Sequence, residues 1–249
     1  MATVERAERL FPTGRTTREI AGELGVPERT VAHWRRRERR TGGPRARPPT
    51  CPRCDEVPLD VESYAYLLGS YLGDGHITVG YRTACLWIYC ADGWPAVRVE
   101  VETAMARVMP TSGVSIVARQ GCSAVKSFTL HWTCLFPQHG PGRKHTRRIV
   151  LEPWQEEVVE QHTGLFLRGL FHSDGCRITN WTTRPVAGEV RRYEYPRYFF
   201  TNRSTDILDL CATGLDRLGI AHRRPRPDTI SVARRAAVAA LDEHVGPKA

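Results

Sequence analysis

No stretch of the 249 residues stays apolar for the roughly 18 positions that a membrane-spanning helix requires. The opening MATVERAERLFPTG lacks the unbroken apolar core of a secretory signal, so a cytoplasmic protein without a membrane partner is expected. Lysine is almost missing: only Lys126, Lys144 and Lys248 stand among 36 basic residues. Coding bias toward arginine accounts for much of that preference. It does not account for the formal charge of +9, which makes polyanions the natural partners. Eight cysteines without a secretory signal argue against a disulfide framework. A hydrophobic content of 41% suffices for a packed core and excludes a disordered chain.

What is present divides into a small helical unit, residues 1–40, and a larger α+β part. ATVERAERLF reads as a short amphipathic helix, and TTREIAGELGVPERTVAHWRRR as helix, tight turn, helix. Ile20, Ala21, Leu24, Val31 and Trp34 recur at helical spacing, and Gly25 suits the positive φ of the turn. This pattern resembles the helix-turn-helix DNA-binding family. The resemblance implies that the second helix enters the major groove, exposing Glu28, Arg29, Thr30 and His33, with Arg35, Arg36 and Arg37 near phosphates.

Residues 41–56 read as a basic, Gly/Pro-rich linker ending in the knuckle CPRC. Cys51 and Cys54 have the spacing of a Zn²⁺ pair, but two thiolates do not complete a tetrahedron. Cys134, His139 and His145 are the nearest candidates for the rest. A reduced, empty pair and a redox motif are the alternatives, the latter without a surrounding βαβ pattern.

From about Val57 the chain reads as two related halves, 57–150 and 151–249. YLLGSYLGDG and FLRGLFHSDG are helices that each finish Asp-Gly, and Asp74 and Asp174 lie 100 residues apart. Gly69 and Gly73 share one helix face, as do Gly169 and Ser173, so two backbones can approach closely. If the helices cross there, their C-terminal carboxylates meet, and divalent cations are the natural offset to that repulsion. Two alternating strands, a helix, two further strands and a final helix follow in each half, an αββαββα unit duplicated. The segment Phe136–Ile149, FPQHGPGRKHTRRI, lies between the halves. Three readings stand level for it: a backbone clamp through Lys144, Arg147 and Arg148, a source of metal ligands in His139 and His145, or a solvated loop.

The two Asp-Gly segments resemble the signature helices of LAGLIDADG homing endonucleases in their two-motif, single-chain form. The resemblance implies saddle-shaped sheets over double-stranded DNA, two Mg²⁺ ions held by Asp74 and Asp174, and a monomer with internal pseudo-twofold symmetry. It implies a basic residue near the scissile phosphate, for which Lys126 is the candidate in the first half and Arg234 or Arg235 in the second. Strand alternation makes His76, Thr78, Arg177, Thr179 and Arg197 the DNA-facing positions. Leu72 and His172 depart from the family, which often has an acidic residue two positions before the aspartate. The expected activity is metal-dependent cleavage of DNA. A transcription regulator on the same scaffold is the alternative, since fold alone does not carry activity. An intein-embedded enzyme fits poorly, because the chain has no splicing-type start and no His-Asn end.

Overall fold

The computed structural model describes residues 3–41, 50–81, 83–246 and 248, with the side chains of 37–41 left aside. The chain folds as two units, Met1–Pro49 and Thr50–Ala249. Among the described residues no helix is long and apolar enough to cross a membrane.

The first unit is three helices, α1 (Thr3–Leu10), α2 (Thr17–Leu24) and α3 (Glu28–Thr41). A capping box starts α2, with the Thr16 side chain bound to the Glu19 amide and the Glu19 carboxylate to the Thr16 amide. Gly25 ends it at φ 64°, the left-handed conformation the turn demands. Ala7, Ile20, Ala21 and Val31 form the core, with Leu24, Val26 and Trp34 packed around them.

In the second unit, α4 (Val61–Asp74) is followed by β1 (Gly75–Val79), β2 (Ala84–Ala91), α5 (Pro95–Val108), β3 (Val114–Arg119), β4 (Cys122–Phe128) and a single turn, α6 (Trp132–Leu135). After α7 (Pro153–Gln161), which has no counterpart in the expected repeat, the series recurs. It runs α8 (Thr163–Asp174), β5 (Gly175–Val186), β6 (Glu189–Thr201), α9 (Thr205–Arg217), β7 (Arg223–Arg226), β8 (Thr229–Val232) and α10 (Arg235–Val245). Both sheets are antiparallel and share one order, β1-β2-β4-β3 and β5-β6-β8-β7. The fold is α+β with αββαββα twice, as expected from the sequence.

Helices α4 and α8 form the spine. A Cβ on Gly69 would overlap the Phe166 carbonyl oxygen, and one on Gly169 the Tyr66 carbonyl oxygen. At the next contact Ser173 fills the space that a side chain at position 73 would need, so that position must be glycine. Around this crossing one apolar core runs through both halves, from Tyr64, Leu67 and Leu68 to Phe166, Leu167 and Leu170. Arg168 of α8 adds two bonds to Glu100 of α5, at 2.6 and 2.9 Å.

Gly169→Ala drives a methyl group into backbone rather than into movable side chains. The expected loss is about 3 kcal/mol, the upper part of the range for overpacking. Gly113→Ala, where nothing lies within 4 Å, is the control and should leave stability almost unchanged. Urea unfolding of the two variants measures the difference.

Candidate active site

Asp74 and Asp174 end the two spine helices, and the chain turns at once into β1 and β5. Gly75 and Gly175 permit that turn, since a Cβ at either would lie 2.6 Å from the Cα of Tyr71 or Phe171. The Asp174 carboxylate accepts a hydrogen bond from Asn202 Nδ2 at 2.6 Å. Asp74 is exposed at the surface of this junction. A cleft of about 340 Å³ opens there, lined by Gly73, Lys144, Asp174, Asn202 and Arg203 among others.

Two lysines serve the helix ends. Lys144 Nζ donates to the carbonyls of Tyr71, Leu72 (2.8 Å) and Gly73 (2.7 Å), the last turn of α4. Lys248 Nζ donates to Ser173 O (3.2 Å) and Gly175 O (2.9 Å) at the end of α8. Helix C-termini leave carbonyls without partners and carry partial negative charge, so a cation there is doubly favoured. The compact ammonium directs three donors at three converging carbonyls, which a planar guanidinium cannot do.

The surrounding protein, and then the Asp174 carboxylate, push the Asp74 pKa up to about 6, against the pull of both lysines. Burial likewise raises Asp174, while Asn202 and the lysines lower it. Burial lowers Lys144 to about 7, against the pull of both aspartates. Between its ordinary value of 3.8 and about 6, Asp74 holds a proton in the fold that the unfolded chain lacks. Its contribution to stability therefore falls as pH rises through that window.

The open face of the first sheet carries His76, Thr78 and Lys126. His76 stacks with Trp87 and Tyr89, ring centroids 6.1 and 5.7 Å apart, and Trp87 Nε1 donates to Thr78 Oγ1 at 3.1 Å. Lys126 Nζ lies 4.9 Å from the Trp87 ring. In the second sheet Arg197 is on the open face, 4.6 Å over Phe199 and bound to Ser231 Oγ at 2.8 Å. Arg177 is a correction. It pairs across the strands with buried Tyr198 and binds Asp242 of α10 at 2.8 and 2.9 Å, so it faces the helices. Thr179 shares that parity, and the open-face residues in the first part of β5 are Cys176, Ile178 and Asn180. In β5 the expected alternation has the right period and is shifted by one residue. His76 and Thr78 correspond, at the 100-residue offset, to Cys176 and Ile178.

In the first unit Glu28, Arg29, His33 and Arg36 are exposed and Thr30 is half-buried. Arg35 turns inward, over Phe11 at 5.4 Å, and donates to Thr17 Oγ1 at 3.3 Å and to Arg15 O. The side chain of Arg37 lies outside the described residues. Between the halves, Arg147 braces its own loop through Gln138 O and Gly142 O, and Arg148 lies 3.3 Å from Asp206. Arg234 and Arg235 are exposed at the start of α10. Cys51 and Cys54 gather with Cys134 and His131, not with His139 or His145.

Sequence reasoning missed Lys248, Asn202 and His131, and it gave Lys144 no place beside the carboxylates. Asn202 carries no sequence signal. The lysines do, through their rarity.

Comparison with known proteins matches the second unit's architecture. The crystal structure of I-DmoI in complex with DNA and Mn superposes with a TM-score of 0.50 at 14% identity, covering 75% of this chain and 98% of that one. The chain has the homing endonuclease fold. I-WcaI bound to its DNA recognition sequence (TM-score 0.46, 12% identity, 77% and 84% covered) and the LAGLIDADG enzyme I-GzeII with its DNA target (0.43, 8%, 74% and 84%) are further similar structures. Residues 5–45 match the family model of a homeodomain-like domain. None of the curated proteins matches the chain in sequence.

Substituting Lys144 with methionine removes a cation whose charge holds Asp74 down. The Asp74 titration midpoint is expected to move above 6, read by carbon-13 NMR of the carboxyl group. An unmoved midpoint would show that the ammonium does not reach it.

Proposed function

We propose that this protein is a sequence-specific DNA endonuclease that hydrolyses phosphodiester bonds with divalent cations. The observation that carries this reading is the meeting of the Asp74 and Asp174 helix ends, held there by the glycine crossing. The homing endonuclease fold and the net charge of +9 support DNA as the partner. I-DmoI was crystallised with DNA and Mn, and a Mg-containing complex of a variant exists as well. The internal repeat supports a monomer, since one chain supplies both carboxylates.

The two aspartates fit a hard cation. They offer carboxylate oxygens, those of Asp74 on an exposed residue and those of Asp174 lining a cleft with room for water and a phosphate oxygen. Bound Mg²⁺ would supply charge stabilisation at a phosphoryl oxygen and a lowered pKa for water. The chain's own contribution is positional. Asn202 orients Asp174, and Lys144 and Lys248 fix the helix ends and temper the paired negative charge. On the open face Lys126 and Arg197 would meet phosphates, and His76 and Thr78 would face the same DNA close after Asp74. Glu28, Arg29, Thr30, His33 and Arg36 of the first unit would read a further stretch of the same DNA.

A second reading, a transcription regulator that binds without cutting, draws on Lys144 and Lys248. These two ammonium groups counter part of the carboxylate charge with the chain's own residues.

Incubation with a randomised duplex library, with Mg²⁺ or EDTA, separates the two. Metal-dependent ends at one motif, reduced at least about 100-fold by Asp74→Asn or Asp174→Asn, are expected. An enriched bound motif without ends would leave only the regulator. Protons compete with the cation for Asp74, so cleavage at fixed, subsaturating Mg²⁺ should fall as pH drops through about 6. A rate indifferent to pH between 5 and 7 would count against metal binding at Asp74.

A further inference from the structure

We infer that Cys51, Cys54, His131 and Cys134 form a structural zinc site, separate from the aspartate pair. One ligand atom from each of the four lies within 4.8 Å of all the others. Cys54 Sγ stands 3.4 Å from Cys134 Sγ, and Cys134 Sγ 3.8 Å from His131 Nδ1. A disulfide would need about 2.05 Å. A tetrahedral ion with metal–sulfur bonds of about 2.3 Å has sulfur–sulfur edges of about 3.8 Å, close to these separations.

Local hydrogen bonds shape the knuckle, and the packing of α6 brings the other two ligands to it. Asp55 accepts from the amides of Thr50 (2.8 Å) and Cys51 (2.9 Å), closing the knuckle, and the Cys54 amide points at Cys51 Sγ at 3.4 Å. On the other side, Trp132 and Leu135 of α6 are buried, and Trp132 Nε1 donates to Ser127 O at 3.0 Å. His131 and Cys134, three residues apart, therefore share the opposite face and meet the knuckle. Three thiolates and one imidazole in a tetrahedron select zinc over magnesium or calcium, which take oxygen ligands.

The site ties the segment that enters the second unit to α6. That turn in turn braces α4, since the Leu135 carbonyl accepts from Tyr64 OH at 2.5 Å and the Phe136 ring, just after it, lies tilted against Tyr71 with centroids 4.5 Å apart. Zinc thus supports, from a distance, the helix that ends in Asp74.

Full-length protein purified without chelators should contain one zinc per chain by elemental analysis. Replacing zinc with Co²⁺ should give the intense visible bands of a tetrahedral thiolate site. Chelation should lower Tm, with recovery on adding Zn²⁺ but not Mg²⁺. Cys134→Ser should lose the metal, while His139→Ala keeps it. If Cys134→Ser fails to fold, the cobalt spectrum of the unaltered protein decides. Metal-free protein whose Tm ignores added zinc overturns the inference, as does a thiol titration showing Cys54 and Cys134 joined in a disulfide. No step uses DNA or cleavage, so the outcome is independent of the nuclease reading.

Discussion

Where α4 meets α8 the two backbones touch directly, with Gly69 against the Phe166 carbonyl and Gly169 against that of Tyr66. A Cβ at either glycine would lie 2.3 Å or less from a backbone oxygen. The crossing lets one core serve both halves, and it carries the two helix ends to one place. Close approach has an electrostatic consequence. Two helix C-termini and two carboxylates concentrate negative charge at one point, and the chain spends two of its three lysines there.

That use of lysine separates composition from chemistry. Elsewhere arginine makes the pair to Glu100, the pair to Asp242 and the contact over Phe199. Converging carbonyls at a helix end are a target for a point charge with three donors, and lysine is retained there. The third lysine, Lys126, lies over Trp87 on the open face of the first sheet. An abundance argument about the net charge would pass over all three.

The two halves are alike in topology and unlike in detail. Sheet order is the same in both, yet β5 and β6 are 12 and 13 residues long against 5 and 8 for β1 and β2. Among the described residues the cysteine and histidine cluster joins the entering knuckle to the first half alone, and an asparagine holds the aspartate in the second half alone. The halves thus diverge in their strands and side-chain clusters, while the spine keeps both helix ends together.

Much was legible from residue order, because it rests on local rules. Helical spacing and Gly25 placed the first unit's helices. The repeated Asp-Gly endings, with small residues four apart, located the spine and both aspartates. The succession αββαββα followed from alternation and turn residues. What tertiary structure alone decided concerns sides and partners. The parity of β5 depends on which face the helices cover, and Arg177 took the inner one because Asp242 and Tyr198 wait there. Lys248 and Asp174 are neighbours only because α10 returns beside α8, and His131 joins Cys51 only because α6 buries its tryptophan. Periodicity along a chain encodes which residues share a face. Adjacency between segments far apart in sequence is set by how those faces pack, and the site is made of such adjacencies.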